Sequence, residues 1–129
     1  MIHNDLVRRA LLVLTALIFV ANAVQTIVSP DQWAAQLGYS LSAPNGYSEI
    51  YAVYVGVWLA TAFLCVLAAL RIRQPLLGDL AALFVLAQPL ARLLAIPQFG
   101  PPQGLLLGFF VLEAFGGLAL LAVRPSTNA

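Results

Sequence analysis

The sequence predicts an all-α integral membrane protein, an up-down bundle of four transmembrane helices with a short interfacial helix in the first outer loop. The first observation behind this prediction is the composition. Of the 129 residues, 62% are hydrophobic and 9% are charged, whereas an ordinary soluble domain is about 45–50% apolar and about 25% charged. A soluble core of this size cannot hide so much apolar surface, so we expect lipid to surround the protein.

The second observation is the length of the apolar segments. A hydrocarbon core about 30 Å thick needs about 20 helical residues to cross it, and lipid cannot satisfy the open backbone groups of other structures. Turn signals around Pro75 and Gly100 divide the later segments. We therefore predict one transmembrane domain, residues 1–129, whose spans lie at about 10–28, 50–70, 76–95 and 104–123.

The third observation is the placement of the arginines, which predicts the orientation. In a four-span chain, the two ends and the loop between the second and third spans lie on one side of the membrane. The positive-inside rule therefore puts both termini in the cytoplasm. No basic patch stands clear of the spans, so nucleic acid is not an expected partner. The arginines outside the spans, all on this side, are Arg8, Arg9, Arg71, Arg73 and Arg124.

The first span has a competing interpretation. Arg8 and Arg9 precede a run of eleven residues, all apolar but Thr15, and then Ala21-Asn22-Ala23, which resembles a signal peptide with its cleavage site. The apolar run continues to Val28, however, which favours a retained span. The polar residues of the span fall near one helical face, as expected of a face turned toward other helices; they are Thr15, Asn22, Gln25 and Thr26.

The first outer loop contains a helix-start signature in Ser29-Pro30-Asp31-Gln32. A capping serine, a proline at the first position and a glutamine three residues after the cap are typical of a helix N-terminus. Gly38 would end this helix. Trp33 lies on one face with Leu37, so we expect a helix in the membrane interface with Trp33 at headgroup depth.

Charges within the spans predict a polar centre. Charged residues at bilayer depth are rare and usually face the protein interior. Arg92 and Glu113 lie on consecutive spans at depths that differ by roughly 7–9 Å, and their side chains lean toward each other because each leans toward its own N-terminus. We therefore expect Glu113 to pair with Arg92, with Glu49 as a second carboxylate and Gln88 one helical turn away.

This cluster has two interpretations. In the first, the cluster is structural and fixes which helices are neighbours; in the second, it lines a polar cavity that binds a ligand or passes protons. Pro89, which removes a backbone hydrogen bond to Val85, slightly favours a cavity. Asp79 lies on a different helical face from Arg92, and we expect it to be neutralised by Arg71 or Arg73.

Small residues predict close helix packing. Gly104 and Gly108 are four residues apart and Gly116 continues their line, while Gly56 has a similar position in the second span. Such a face allows close helix approach, either within the chain or against a second copy. Cys65 reads as a small apolar filler.

Motifs for enzymatic chemistry are absent from the sequence. One histidine, His3, and one cysteine, Cys65, cannot make a zinc site. No phosphate loop, dinucleotide fingerprint or nucleophile elbow is present. We expect no metal and no cofactor, and an enzyme is the third-ranked class.

The chain resembles the small bacterial membrane proteins of the domain-of-unknown-function 4345 family. The residues that carry the resemblance are Glu49, Tyr54, Gly56, Arg92, Gly100, Pro101 and Glu113. The resemblance implies a four-helix membrane architecture with an Arg–Glu pairing in a bacterial inner membrane, and it implies no activity.

Two functions remain open at this point. The leading interpretation is a non-enzymatic accessory or scaffold protein that acts by helix association, with membrane lipid and either a second copy or another membrane protein as partners. The alternative is a protein that binds lipid, quinone or a small anion, or that passes protons, through Glu49, Gln88, Arg92 and Glu113.

Overall fold

The computed structural model describes residues 2–125 and is all-α apart from one pair of very short strands. The helices are α1 Asp5–Val28, α2 Pro30–Gln36, α3 Ala43–Leu70, α4 Pro75–Phe99 and α5 Leu105–Ala122, and the strands are β1 Ile2–His3 and β2 Val123–Arg124. Helix α3 contains a π-helical segment, Ala52–Val57. The strands pair in parallel, with Ile2 opposite Val123.

Four helices, α1, α3, α4 and α5, are long and apolar enough to cross a membrane, as predicted. Their boundaries differ from the apolar segments because polar residues extend them. Helix α1 begins at Asp5, since the Asn4 side chain caps it by accepting a hydrogen bond from Val7 N at 3.0 Å. Helix α3 begins seven residues before the predicted apolar start, and α4 continues through Pro97 to Phe99.

The four long helices pack as neighbours in the order α1, α3, α4, α5. Helix α1 packs along α3, α3 along α4, and α4 along α5, whereas α1 and α5 contact each other over a much smaller part of their length. The side of the protein between α1 and α5 is therefore the least closed. Helix α1, the segment that also reads as a signal peptide, packs against α3 in this arrangement.

Helix α2 forms where the sequence predicted it, and Gly38 follows it with a φ of +83°, a conformation that favours glycine. One detail of the prediction was wrong, since the Ser29 side chain makes no capping hydrogen bond. The Trp33 side chain is 1% exposed and packs against aromatic rings of the interior, which offer it more apolar contact than the surface does. The position of α2 in the membrane interface, with Trp33 at headgroup depth, stays a prediction.

The two ends of the described chain are held together around Arg8. The Arg8 guanidinium donates to the backbone carbonyls of Val123 at 2.8 Å and Pro75 at 3.1 Å, and it pairs with Asp79 at 3.1 Å. Arg124 also pairs with Asp79. The expectation that Arg71 or Arg73 neutralises Asp79 was therefore wrong: β1–β2 pairing brings two arginines distant in sequence closer to it.

The glycines that pack closely are not the predicted ones. A Cβ added at Gly117 would lie 2.6 Å from a methyl group of Leu86, and one added at Gly78 would collide with Arg8. Apart from the adjoining residues and the nearby backbone of the same helix, no atom of residues 2–125 lies within 4 Å of such a Cβ at Gly104, Gly108 or Gly116, and at Gly56 the nearest is a carbonyl oxygen at 3.8 Å. The predicted glycine face is thus not used within the chain, and its use against a second copy stays a prediction.

Candidate functional site

An ion pair between Arg92 of α4 and Glu113 of α5 forms the charged centre of the site, as the sequence predicted. The Arg92 side chain is 19% exposed and the Glu113 side chain 6%. Arg92 contacts Glu113 through one carboxylate oxygen, Oε2. The pair closes because the two helices run in opposite directions and each side chain leans toward its own N-terminus.

Gln88 lies one turn before Arg92 and links α4 to α3. Its Oε1 accepts a hydrogen bond from Trp58 Nε1 at 3.1 Å. The next residue, Pro89, is buried inside α4, where it has no backbone N–H to donate to Val85. Gln88 therefore has a defined partner, although that partner is Trp58 and not the ion pair.

Glu49 does not pair with Arg92, so its expected role as a second carboxylate was wrong. Its side chain is exposed and has no hydrogen bond or ion pair with any residue between 2 and 125. The π-helical segment Ala52–Val57 has a wider turn than an α-helix, so α-helical spacing misplaces residues across it. Glu49 instead borders a separate pocket whose other lining residues are Tyr39, Leu41, Gly46, Ile50, Val53 and Tyr54.

An aromatic cluster lies beside the ion pair. Trp33 and Trp58 have ring centroids 6.3 Å apart, and Phe109 lies 6.0 Å from the first and 5.6 Å from the second. Tyr54 packs edge-on against Trp58 at 4.8 Å. These edge-to-face arrangements are the geometry that aromatic rings prefer.

Trp33 and Phe109 were not predicted from the sequence to lie in this cluster. Phe109 precedes Glu113 by four residues on α5, so helical spacing already places the two on one face. Nothing in the sequence of α2 indicates that Trp33 turns inward, because a short amphipathic helix with a tryptophan is equally typical of a membrane interface.

A groove runs along the poorly closed side between α1 and α5 and reaches the ion pair. Its enclosed space is about 80 Å³, which is room for roughly five water-sized groups. Glu113 is its charged lining residue, and the two polar ones, Thr15 and Asn22, come from α1. Its apolar lining consists of Leu11, Leu14, Ile18, Phe19, Trp58, Val85, Phe109, Leu112 and Gly116.

The fold and the site together define a class of protein: four helices suited to a membrane, with an Arg–Glu pair buried between the last two. A family model described as "Domain of unknown function (DUF4345)" matches residues 7–123, nearly the whole chain. The chain belongs to this family, as its resemblance in sequence implied. No curated protein and no solved structure matches this chain.

Proposed function

We propose that this protein binds a small amphiphile, a molecule of the lipid or quinone type, taken from the surrounding membrane through the groove between α1 and α5. The observation that carries the proposal is that this apolar groove is lined by Glu113, the buried carboxylate that pairs with Arg92. An apolar recess with a few convergent polar groups is the usual form of a small-molecule site.

The lining of the groove favours an amphiphile over the other ligands considered. Nine of its twelve lining residues are apolar, which suits a hydrocarbon chain or ring better than a small hydrated anion. Its charged lining residue is Glu113, whose partner Arg92 does not line the groove, so an anion in the groove would meet the negative end of the ion pair. Because α1 and α5 contact each other little, the chain of a membrane lipid reaches the groove without crossing a packed interface.

We also propose a bacterial inner membrane with both termini in the cytoplasm. The β1–β2 pairing supports having both ends on one side, since it brings Ile2 against Val123. The positive-inside rule supports the cytoplasm for that side, because the arginines outside the spans are near the two ends and the α3–α4 turn.

Blocking the groove tests the binding proposal. Gly116 lines the groove, and a Cβ added there meets no atom within 4 Å among residues 2–125 apart from the adjoining residues and the nearby backbone of its own helix, so Gly116→Leu places a side chain in the groove. The wild-type protein and this variant would be extracted from the membrane with gentle detergent and examined by native mass spectrometry. We expect a bound amphiphile on the wild type and its loss in Gly116→Leu.

The matched control is Gly108→Leu, on the same helix. Gly108 has the same open surroundings but does not line the groove. We expect this variant to keep the bound molecule. Equal occupancy in the wild type and both variants, or no bound molecule on any of them, would contradict binding in the groove.

Self-association is a second candidate function, and one observation favours it. Gly104 and Gly108 are exposed and leave open space on the outside of α5, which is the form that a small-residue helix contact takes. If a second copy packs there, Gly108→Leu lowers the dimer fraction in lipid nanodiscs and Gly116→Leu does not. A monomeric wild type at all protein-to-lipid ratios would exclude this function.

A further inference from the structure

We infer that the ligand of the groove presents a hydroxyl group, as a fatty or isoprenoid alcohol or a quinol does, and donates its proton to the acceptor oxygens that line the groove, with Thr15 among them. This inference rests on the proposed function and names the chemical class of the ligand. The inference comes from the hydrogen-bond donors and acceptors that line the groove. The donors are mostly engaged within the protein, whereas acceptor oxygens remain available.

The donors on α1 that border the groove are engaged with the helix itself. The Thr15 hydroxyl donates to Leu11 O at 2.8 Å, and Asn22 Nδ2 donates to Ile18 O at 2.8 Å. The Thr15 hydroxyl has one proton, and its oxygen keeps lone pairs; the Asn22 side chain keeps its carbonyl oxygen and one further proton. What these two residues offer a ligand is therefore mainly acceptor oxygen.

The third polar group of the groove is an acceptor as well. Arg92 binds Glu113 through Oε2, and Oε1 of the same carboxylate has no hydrogen-bond partner among residues 2–125. Among residues 2–125, Trp33 Nε1 is the one side-chain nitrogen or oxygen that is both fully buried and without a hydrogen-bond partner. Since Glu113 Oε1 also has no partner there, it cannot be fully buried, and a ligand can reach it. An ionised carboxylate accepts hydrogen bonds and donates none.

A hydroxyl donor matches this set better than the alternatives. A ligand with only a carbonyl or ether oxygen can accept hydrogen bonds but not donate them. The groove would offer it one free donor, the second amide proton of Asn22, and would leave the acceptor oxygens of Thr15, Asn22 and Glu113 without a partner. A carboxylate or phosphate headgroup would add repulsion from Glu113. An alcohol supplies the proton that the groove lacks, and the enclosed space suits a chain segment behind it.

Matched brominated probes test this inference, because bromine quenches tryptophan fluorescence on contact and Trp58 lines the groove. The probes are a brominated fatty alcohol, its methyl ether and the carboxylic acid of the same chain, each added to the full-length protein in nanodiscs. We expect the alcohol to reach half-maximal quenching at a concentration about fivefold lower than the ether, the effect of about one neutral hydrogen bond. We expect the acid to bind most weakly.

Two threonine variants identify the groove as the place of recognition. Thr15→Val removes an acceptor that lines the groove, so the preference for the alcohol over the ether falls. Thr26→Val is the matched control, since Thr26 donates to Asn22 O at 2.9 Å in the same way but does not line the groove. This variant keeps the preference of the wild type.

The outcomes separate the inference from the proposed function. If alcohol and ether quench equally, or if the acid binds best, the groove binds chains but the hydroxyl assignment is wrong. A preference for the alcohol that Thr15→Val leaves unchanged also overturns the assignment. If all three probes quench the wild type no more than Gly116→Leu, the proposed function fails as well.

Discussion

The guanidinium of Arg8 occupies the space that the side chain of any residue but glycine would need at position 78. A Cβ added at Gly78 would lie 2.8 Å from Arg8 Nε, closer than real Cβ atoms come to other groups. Gly78 lies in the first turn of α4, directly before Asp79, which pairs with Arg8. One missing side chain thus lets a buried charge from α1 reach its carboxylate on α4.

This relationship predicts that Gly78→Ala destabilises the protein. The added methyl group must displace Arg8 from its bonds to Val123 O and Pro75 O, so we expect a loss of roughly 1–3 kcal/mol, the usual cost of overpacking. The measurement is the free energy of unfolding in mixed micelles titrated with a denaturing detergent. Gly108→Ala is the control, expected to be neutral or to stabilise by up to about 1 kcal/mol because its surroundings are open. Equal effects of the two substitutions would contradict the close contact.

The two arginines that pair with Asp79 are expected to differ in importance. The Arg8 side chain is 1% exposed, whereas that of Arg124 is 28% exposed. Arg8→Gln removes the buried charge together with its bonds to Val123 O, Pro75 O and Asp79, and we expect it to cost about 1–3 kcal/mol of unfolding free energy. Arg124→Gln removes a partly solvated pair and should cost less than about 1 kcal/mol. The opposite ranking in the same unfolding assay would show that Arg124, not Arg8, is the main partner.

The Arg92–Glu113 pair is expected to show strong coupling in a double-mutant cycle. Arg92→Gln or Glu113→Gln alone leaves one charge unpaired in a buried site, and we expect each to cost about 3–5 kcal/mol, by analogy with soluble interiors. The double variant should lose clearly less than the sum, because neither charge is then left unpaired. Unfolding free energies of the four proteins give the coupling.

A second cycle, Arg92→Gln with Asp79→Asn, serves as its control. Asp79 pairs with Arg8 and Arg124 and has no ion pair with Arg92 among residues 2–125. We expect the two effects to add within about 0.5 kcal/mol. If the Arg92–Glu113 cycle were equally additive, the pair would make no energetic contact.

Two buried tryptophans are expected to respond differently to the same substitution. Trp58 Nε1 donates to Gln88, whereas Trp33 Nε1 is buried without a partner among residues 2–125. Both changes to phenylalanine remove similar apolar area, but Trp58→Phe also leaves Gln88 without its donor. We expect Trp58→Phe to cost about 1–3 kcal/mol more than Trp33→Phe. Equal losses of unfolding free energy would indicate that Trp33 Nε1 has a partner such as an ordered water.

The sequence determined the features of this protein that depend on local spacing and on composition. Four apolar segments gave four helices suited to a membrane, because lipid leaves no other way to satisfy the backbone. The pairing of Arg92 with Glu113 followed from depth and side-chain lean along two consecutive helices. Gly38 marked the end of α2 through its backbone conformation. Each of these conclusions depends only on the residues of one helix or of two helices that follow each other in the chain.

Only the tertiary structure decided the features that depend on how distant elements meet. Asp79 is paired by Arg8 and Arg124, which reach it because the ends of the chain meet in β1 and β2. The inward turn of Trp33 and the groove beside Glu113 depend on which helices are neighbours and on how little α1 and α5 touch. Helical periodicity places a residue on a face but does not say what that face meets, since spans surrounded by lipid are apolar on every side.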